Sequence, residues 1–154
     1  MTRRFIPVGA ARTAAVLLAI AAMVAVLFAP AAQAEDTALV PLLIKGHNAD
    51  DSGAEIGPNR FQPGKDGTLT VSLRWETNNG QPVAERCREV SKILDPLGNV
   101  VFERQQDLGG GCSYGGNWRA RLRGLGTFTY VVEVSDRDGG ANLRAELPFD
   151  VVLF

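Results

Sequence analysis

The sequence predicts an all-β protein, an antiparallel β-sandwich of about seven strands preceded by a cleaved signal peptide. Three observations carry this expectation. Apolar and polar residues alternate with a period of two through most of the chain after Gly67. Turns rich in glycine, asparagine and aspartate interrupt the alternation at short intervals. Beyond the N-terminal apolar run, no segment keeps a helical period for ten residues.

The signal comes first. Arg3, Arg4 and Arg12 make a positive start, and Thr13 to Ala29 is an uncharged apolar run of 17 residues. Pro30 breaks the run, and Ala32-Gln33-Ala34 supplies the small-x-small site that signal peptidase needs before Glu35. Residues 1–34 are therefore expected to be removed after Ala34, leaving residues 35–154 as a single domain in a secreted or periplasmic setting. The run is near the lower limit for crossing a bilayer, so an uncleaved anchor is the competing expectation. With cleavage, the mature chain has no stable membrane insertion. Residues 35–154 carry 13 bases against 17 acids, a net charge of −4. That balance gives no attraction to nucleic acid or to an anionic membrane.

The strands follow in order. Ala38 to Ile44, "ALVPLLI", is the first, with Pro41 marking an edge or a bulge. Residues 46–67 are polar and unpatterned and predict a long loop with one short strand near Phe61. "TLTVSLRWE" turns Leu69, Val71, Leu73 and Trp75 to one face. "CREVSKIL" and "NVVFERQQ" make a hairpin around the Asp95 to Asn99 turn. "WRARLR" sends Trp118, Ala120 and Leu122 inward and Arg119, Arg121 and Arg123 outward. In "TFTYVVEVS" the inward set is Phe128, Tyr130, Val132 and Val134. In the last strand it is Leu143, Ala145, Leu147, Phe149, Val151 and Leu153.

The segment "LRGLGTFTYVVEVSDRDGGANLRAELPFDV" resembles the last hairpin of secreted immunoglobulin-like domains, and "LDPLGNVVF" is similar to an inner hairpin of such domains. The resemblance implies an immunoglobulin-like sandwich and covers roughly residues 68 to 154. Phe128 stands where such domains often have a corner tyrosine. Cys112 precedes a loop, unlike the mid-strand cysteines of antibody domains. Fold of this kind does not fix function.

Cys87 and Cys112 are the only cysteines. An exported chain meets an oxidising compartment, so a disulfide between them is expected. Closing a loop of this length is worth roughly 3.5 kcal/mol on the chain-entropy model.

Catalytic and metal chemistry is sparse. His47, in "GHNADDSG", is the only histidine, and no serine sits in a GxSxG elbow. The chain is read as non-enzymatic, with a small hydrolase using His47 as the alternative. The closing segment is faintly similar to that of small periplasmic copper carriers. A copper site needs histidine, methionine or thiolate ligands, and both methionines fall within residues 1–34. Asp50, Asp51, Asp136 and Asp138 offer calcium ligands, but Asp-x-Asp-Gly is also ordinary turn chemistry. No metal and no cofactor is assigned.

Two features remain as candidates for binding. "DLGGGCSYGGNW", Asp107 to Trp118, is a glycine-rich stretch expected to form a loop tied down by Cys112, with Tyr114 exposed and Trp118 turned inward. The row Arg119, Arg121 and Arg123 can grip a carboxylate-rich or sulfated partner, or be a solvated face balanced by Glu133 and other acids on neighbouring strands. The expected function is thus an exported binding or accessory module for a protein or glycan partner. A third possibility is a structural subunit of a surface assembly, pairing through the strand edge at residues 143–153.

Overall fold

The computed structural model describes residues 36–45 and 53–153. These residues belong to one compact unit, Glu35–Phe154. Among them are nine strands and no helix: β1 (Leu39–Lys45), β2 (Ala54–Gly57), β3 (Arg60–Gln62), β4 (Thr68–Thr77), β5 (Arg86–Leu94), β6 (Val100–Gly109), β7 (Tyr114–Arg123), β8 (Gly126–Asp136) and β9 (Asn142–Val151). They form a three-stranded sheet in the order β1-β4-β7 and a six-stranded sheet in the order β2-β3-β9-β8-β5-β6. All pairings are antiparallel except the short parallel contact of β3 with β9 at Asp150 and Val151.

The alternation explains the core. Leu69, Val71, Leu73 and Trp75 from the three-stranded sheet share one buried cluster with Phe128, Tyr130, Val132 and Val134 from the six-stranded sheet. Each such side chain withdrawn from water contributes about 1.5–3 kcal/mol. Pro41 lies on β1, at an edge of its sheet, where its missing N–H breaks no ladder on the open side. Phe128 of β8 stacks on Phe149 of β9 with ring centroids 5.7 Å apart. The hydroxyl with a buried partner belongs instead to Tyr130, 3.2 Å from Ser91 Oγ.

The Asp95 to Asn99 turn is set by one carboxylate. Asp95 Oδ1 accepts from the backbone N–H of Leu97 at 2.9 Å and of Asn99 at 2.8 Å, and Gly98 takes φ 85°. The Asn99 side-chain amide, which also donates to Asp95, does most to hold this carboxyl below the usual carboxylate range, followed by the Asn99 N–H.

Two expectations need correction. The segment before β4 holds two short strands instead of one, because Phe61 is fully buried and meets Phe149 edge-on at 5.9 Å, which pins β3 to β9. Leu153 does not continue the inward face of β9. The strand ends at Val151, and Leu153 is 49% exposed.

Candidate functional site

The glycine-rich stretch is mostly strand. Asp107 to Gly109 close β6 and Tyr114 to Trp118 open β7, so the connection between the two sheets is only residues 110–113. Gly110 and Gly111 take φ 76° and 90° to make that crossing. Cys112 within it is bonded to Cys87 at the start of β5, with Cα atoms 6.2 Å apart. Backbone hydrogen bonds add to the staple: Cys112 N–H donates to Ala84 O and Val83 N–H to Cys112 O, both at 2.9 Å.

The other glycines of the stretch serve packing. A Cβ on Gly115 would lie 2.6 Å from Glu89 Oε2 and 2.7 Å from Trp75 Nε1, so only glycine fits. Gly116 (φ 95°) and Asn117 (φ 66°) form a bulge, and the ladder with β4 shifts register between Leu73 and Arg74. The extra residue reverses the alternation along β7. Tyr114 therefore shares a face with Arg119, Arg121 and Arg123, which a straight strand would place opposite it.

Beneath this bulge is a residue the sequence did not single out. Glu89 is fully buried on the inner face of β5, next to Cys87 and Ser91. Its Oε1 accepts from Ser91 Oγ at 2.8 Å and Trp118 Nε1 at 3.2 Å. Its Oε2 accepts from Gln106 Nε2 at 2.7 Å and Gly116 N–H at 3.0 Å. One carboxylate thus joins β5, β6 and β7 across both sheets. Trp118 does turn inward, and it packs against the core as expected. The Tyr130 hydroxyl is pushed far above its ordinary pKa, chiefly by burial, with Glu89 adding to the rise and the Ser91 hydrogen bond opposing it.

The outer face of the three-stranded sheet holds the predicted binding residues together. Tyr114 is 72% exposed and stands opposite Glu76. Arg119, Arg121 and Arg123 stand opposite Ser72, Thr70 and Thr68. Arg74 of β4, also exposed, joins them. Arg121 pairs with Asp66 at 3.1 Å. The Asp66 carboxyl is held below its ordinary pKa, first by the Thr68 hydroxyl, then by the Thr68 N–H and by Arg121. Among the described residues, Arg74, Arg119 and Arg123 have no ion pair.

The outer face of the six-stranded sheet is different. Arg86 pairs with Asp138, Arg88 and Arg137 share Asp107, and Lys92 and Arg144 share Glu133. A groove of about 240 Å³ on this side is lined by Val90, Glu133, Ser135 and Arg144, with both of its charges paired. Glu133 therefore does not balance the arginine row, because its strand belongs to the other sheet. Strand alternation gives the face of a residue but not the sheet.

The remaining candidates fall away from this face or outside the described residues. Asp136 accepts from the N–H groups of Asp138 and Gly140 at 2.8 and 3.0 Å, and Asp138 pairs with Arg86, so both carboxylates serve their turn. Among the described residues no three histidine, cysteine or acidic side chains gather as a metal site. His47, Asp50 and Asp51 lie outside the described residues. No known protein-family model matches the chain, and no curated protein matches it either.

Proposed function

We propose that the chain is an exported, non-enzymatic binding module with an immunoglobulin-like sandwich, and that it takes an anionic protein or glycan on the outer face of its three-stranded sheet. One observation carries the choice of face. Arg74, Arg119 and Arg123 stand there without an acidic partner among the described residues, although the domain as a whole is acidic. Guanidinium groups in a row match carboxylates or sulfates by paired N–H donors, and Tyr114 adds a rigid ring at the end of the row.

The sandwich reading is supported by the strand order, in which β1-β4-β7 faces a sheet ending β9-β8-β5-β6 and the last hairpin is β8–β9. Export is supported by the N-terminal sequence and by the Cys87–Cys112 disulfide, which suits an oxidising compartment.

Binding to dextran sulfate and to poly-glutamate tests the proposal. Affinity is expected to fall with salt over a Debye length of about 10 Å at 0.1 M. An Arg119→Ala/Arg123→Ala variant should bind at least about tenfold more weakly, equivalent to about 1.4 kcal/mol. No binding to either polymer at low salt, or equal binding by the variant, would remove this face as the site.

A further inference from the structure

The arginine face has a regular period. The ladder between β4 and β7 sets Arg119 opposite Ser72, Arg121 opposite Thr70 and Arg123 opposite Thr68. Arg74 lies two residues beyond Ser72 on β4, and its neighbours Leu73 and Trp75 are buried, so it points outward with the other three. Counted along β4, Arg74, Arg119, Arg121 and Arg123 therefore stand at successive levels, each two residues from the next. A strand rises about 3.3 Å per residue, so the levels are about 6.6 Å apart and span about 20 Å. One level past Arg74, Glu76 faces Tyr114 and ends the basic run.

A second stripe runs beside the first. β1 pairs with the other side of β4, with Val40 opposite Glu76, Leu42 opposite Arg74 and Ile44 opposite Ser72. Leu42 is exposed and Val40 and Ile44 are half-buried, whereas Leu39 and Leu43 turn inward to the core. The outer face of β1 is thus apolar. It lies two strand spacings from β7, about 10 Å.

We propose that the anionic partner is an extended acidic peptide segment, with a carboxylate at every second residue and apolar residues between. The inference rests on the anion-binding reading of this face and narrows it to a protein partner. An extended chain lying along the strands repeats its side chains on one side every two residues, the same spacing of about 6.6 Å as the arginines. Each carboxylate then meets a guanidinium with no drift from one level to the next. The residues between turn to the opposite side, toward β1, where Val40, Leu42 and Ile44 offer an apolar surface. A helix advances only about 5.4 Å per turn and falls behind by about 3.6 Å over three levels. A sulfated glycan matches the charge but brings no apolar side chains to the β1 stripe. Arg121 already shares its guanidinium with Asp66, so the closest contacts are expected at Arg74, Arg119 and Arg123.

Fluorescence anisotropy with labelled peptides tests this. One peptide alternates four glutamates with four valines, and its isomer carries the same residues with the glutamates together. In about 0.1 M salt the alternating peptide is expected to bind at least about fivefold more tightly. The Arg119→Ala/Arg123→Ala variant, with its urea midpoint unchanged, should lose that preference. Leu42→Ser should weaken the alternating peptide about threefold and leave dextran sulfate binding as it was. Equal affinity for the two isomers overturns the inference, and so does tighter binding of a helix-forming peptide of the same charge. An alternating peptide indifferent to Leu42→Ser, or dextran sulfate bound with neither peptide bound, overturns it as well. Each of these outcomes leaves the anion-binding face standing. Absence of binding to every polyanion removes the face itself, and this inference with it.

Discussion

Replacing Glu89 by alanine should be among the most damaging single changes in the molecule. The carboxylate is fully buried and accepts from Ser91, Trp118, Gln106 and Gly116. Three of these donors have some relief. Ser91 keeps the Tyr130 hydroxyl, Gln106 keeps the Gly116 carbonyl at 3.3 Å, and Trp118 is partly exposed to water. The Gly116 N–H has none of these options. Leaving one buried donor orphaned costs about 1–3 kcal/mol, and the space left by the side chain adds about 24 cal/mol per Å³ of residual cavity. Together about 3–5 kcal/mol is expected, against a total margin of about 5–15 kcal/mol. Urea unfolding followed by tryptophan fluorescence is the assay. With a slope of about 1–3 kcal/mol per M, the midpoint should fall by at least about 1 M. Glu89→Gln should lose less, because only one acceptor oxygen becomes a donor. A loss below about 1 kcal/mol for Glu89→Ala would show that the buried carboxylate is not the tie between the sheets.

Four further outcomes follow from the same geometry. Gly115→Ala should destabilise by more than the roughly 1 kcal/mol typical of a point substitution, since its Cβ meets Glu89 and Trp75; equal urea midpoints would contradict the close packing. The Cys87→Ala/Cys112→Ala variant should lose roughly 3.5 kcal/mol by the same titration, and a thiol count on the unfolded, unreduced protein should find no free thiol. Tyr114→Ala should cost under about 0.5 kcal/mol, as exposed substitutions do, while weakening polymer binding. Tyr130 has a raised folded pKa, so its stabilising contribution is complete below its unfolded value of about 10 and is lost as pH rises beyond it. Alkaline unfolding should therefore begin near that pH and be less steep in Tyr130→Phe.

The long strands were legible because one face of each is continuously buried. In β4 and β8 the apolar set repeats without interruption, and the phase of the whole strand follows. β2 and β3 were less legible. They have four and three residues, too short for a period, and they exist because Phe61 reaches Phe149 from elsewhere in the chain. The glycine-rich stretch was misread as a loop because glycine is the common mark of both a turn and a close approach. Only the neighbours across the strand, Glu89 and Trp75, distinguish the two. Glu89 itself had a usable signal. Cys87, Ser91 and Ile93 share its parity, and a cysteine expected in a buried disulfide fixes that parity as inward.

The bulge at Gly116 and Asn117 connects what is buried to what is displayed. By interrupting the ladder it leaves the Gly116 N–H to bond Glu89, and by adding one residue it turns Tyr114 onto the arginine face. Neither effect is available to a straight β7, in which Tyr114 and Arg119 would lie on opposite faces. The hydrogen bond from Gly116 to Glu89 holds the bulge in place, so the buried carboxylate also sets the spacing of the ring and the guanidinium groups. If the proposed anion binding holds, loss of Glu89 should then weaken it even where enough folded protein remains to measure it. Loss of Tyr114 should weaken binding with the fold intact. The two variants separate a contact residue from a residue that positions the contact.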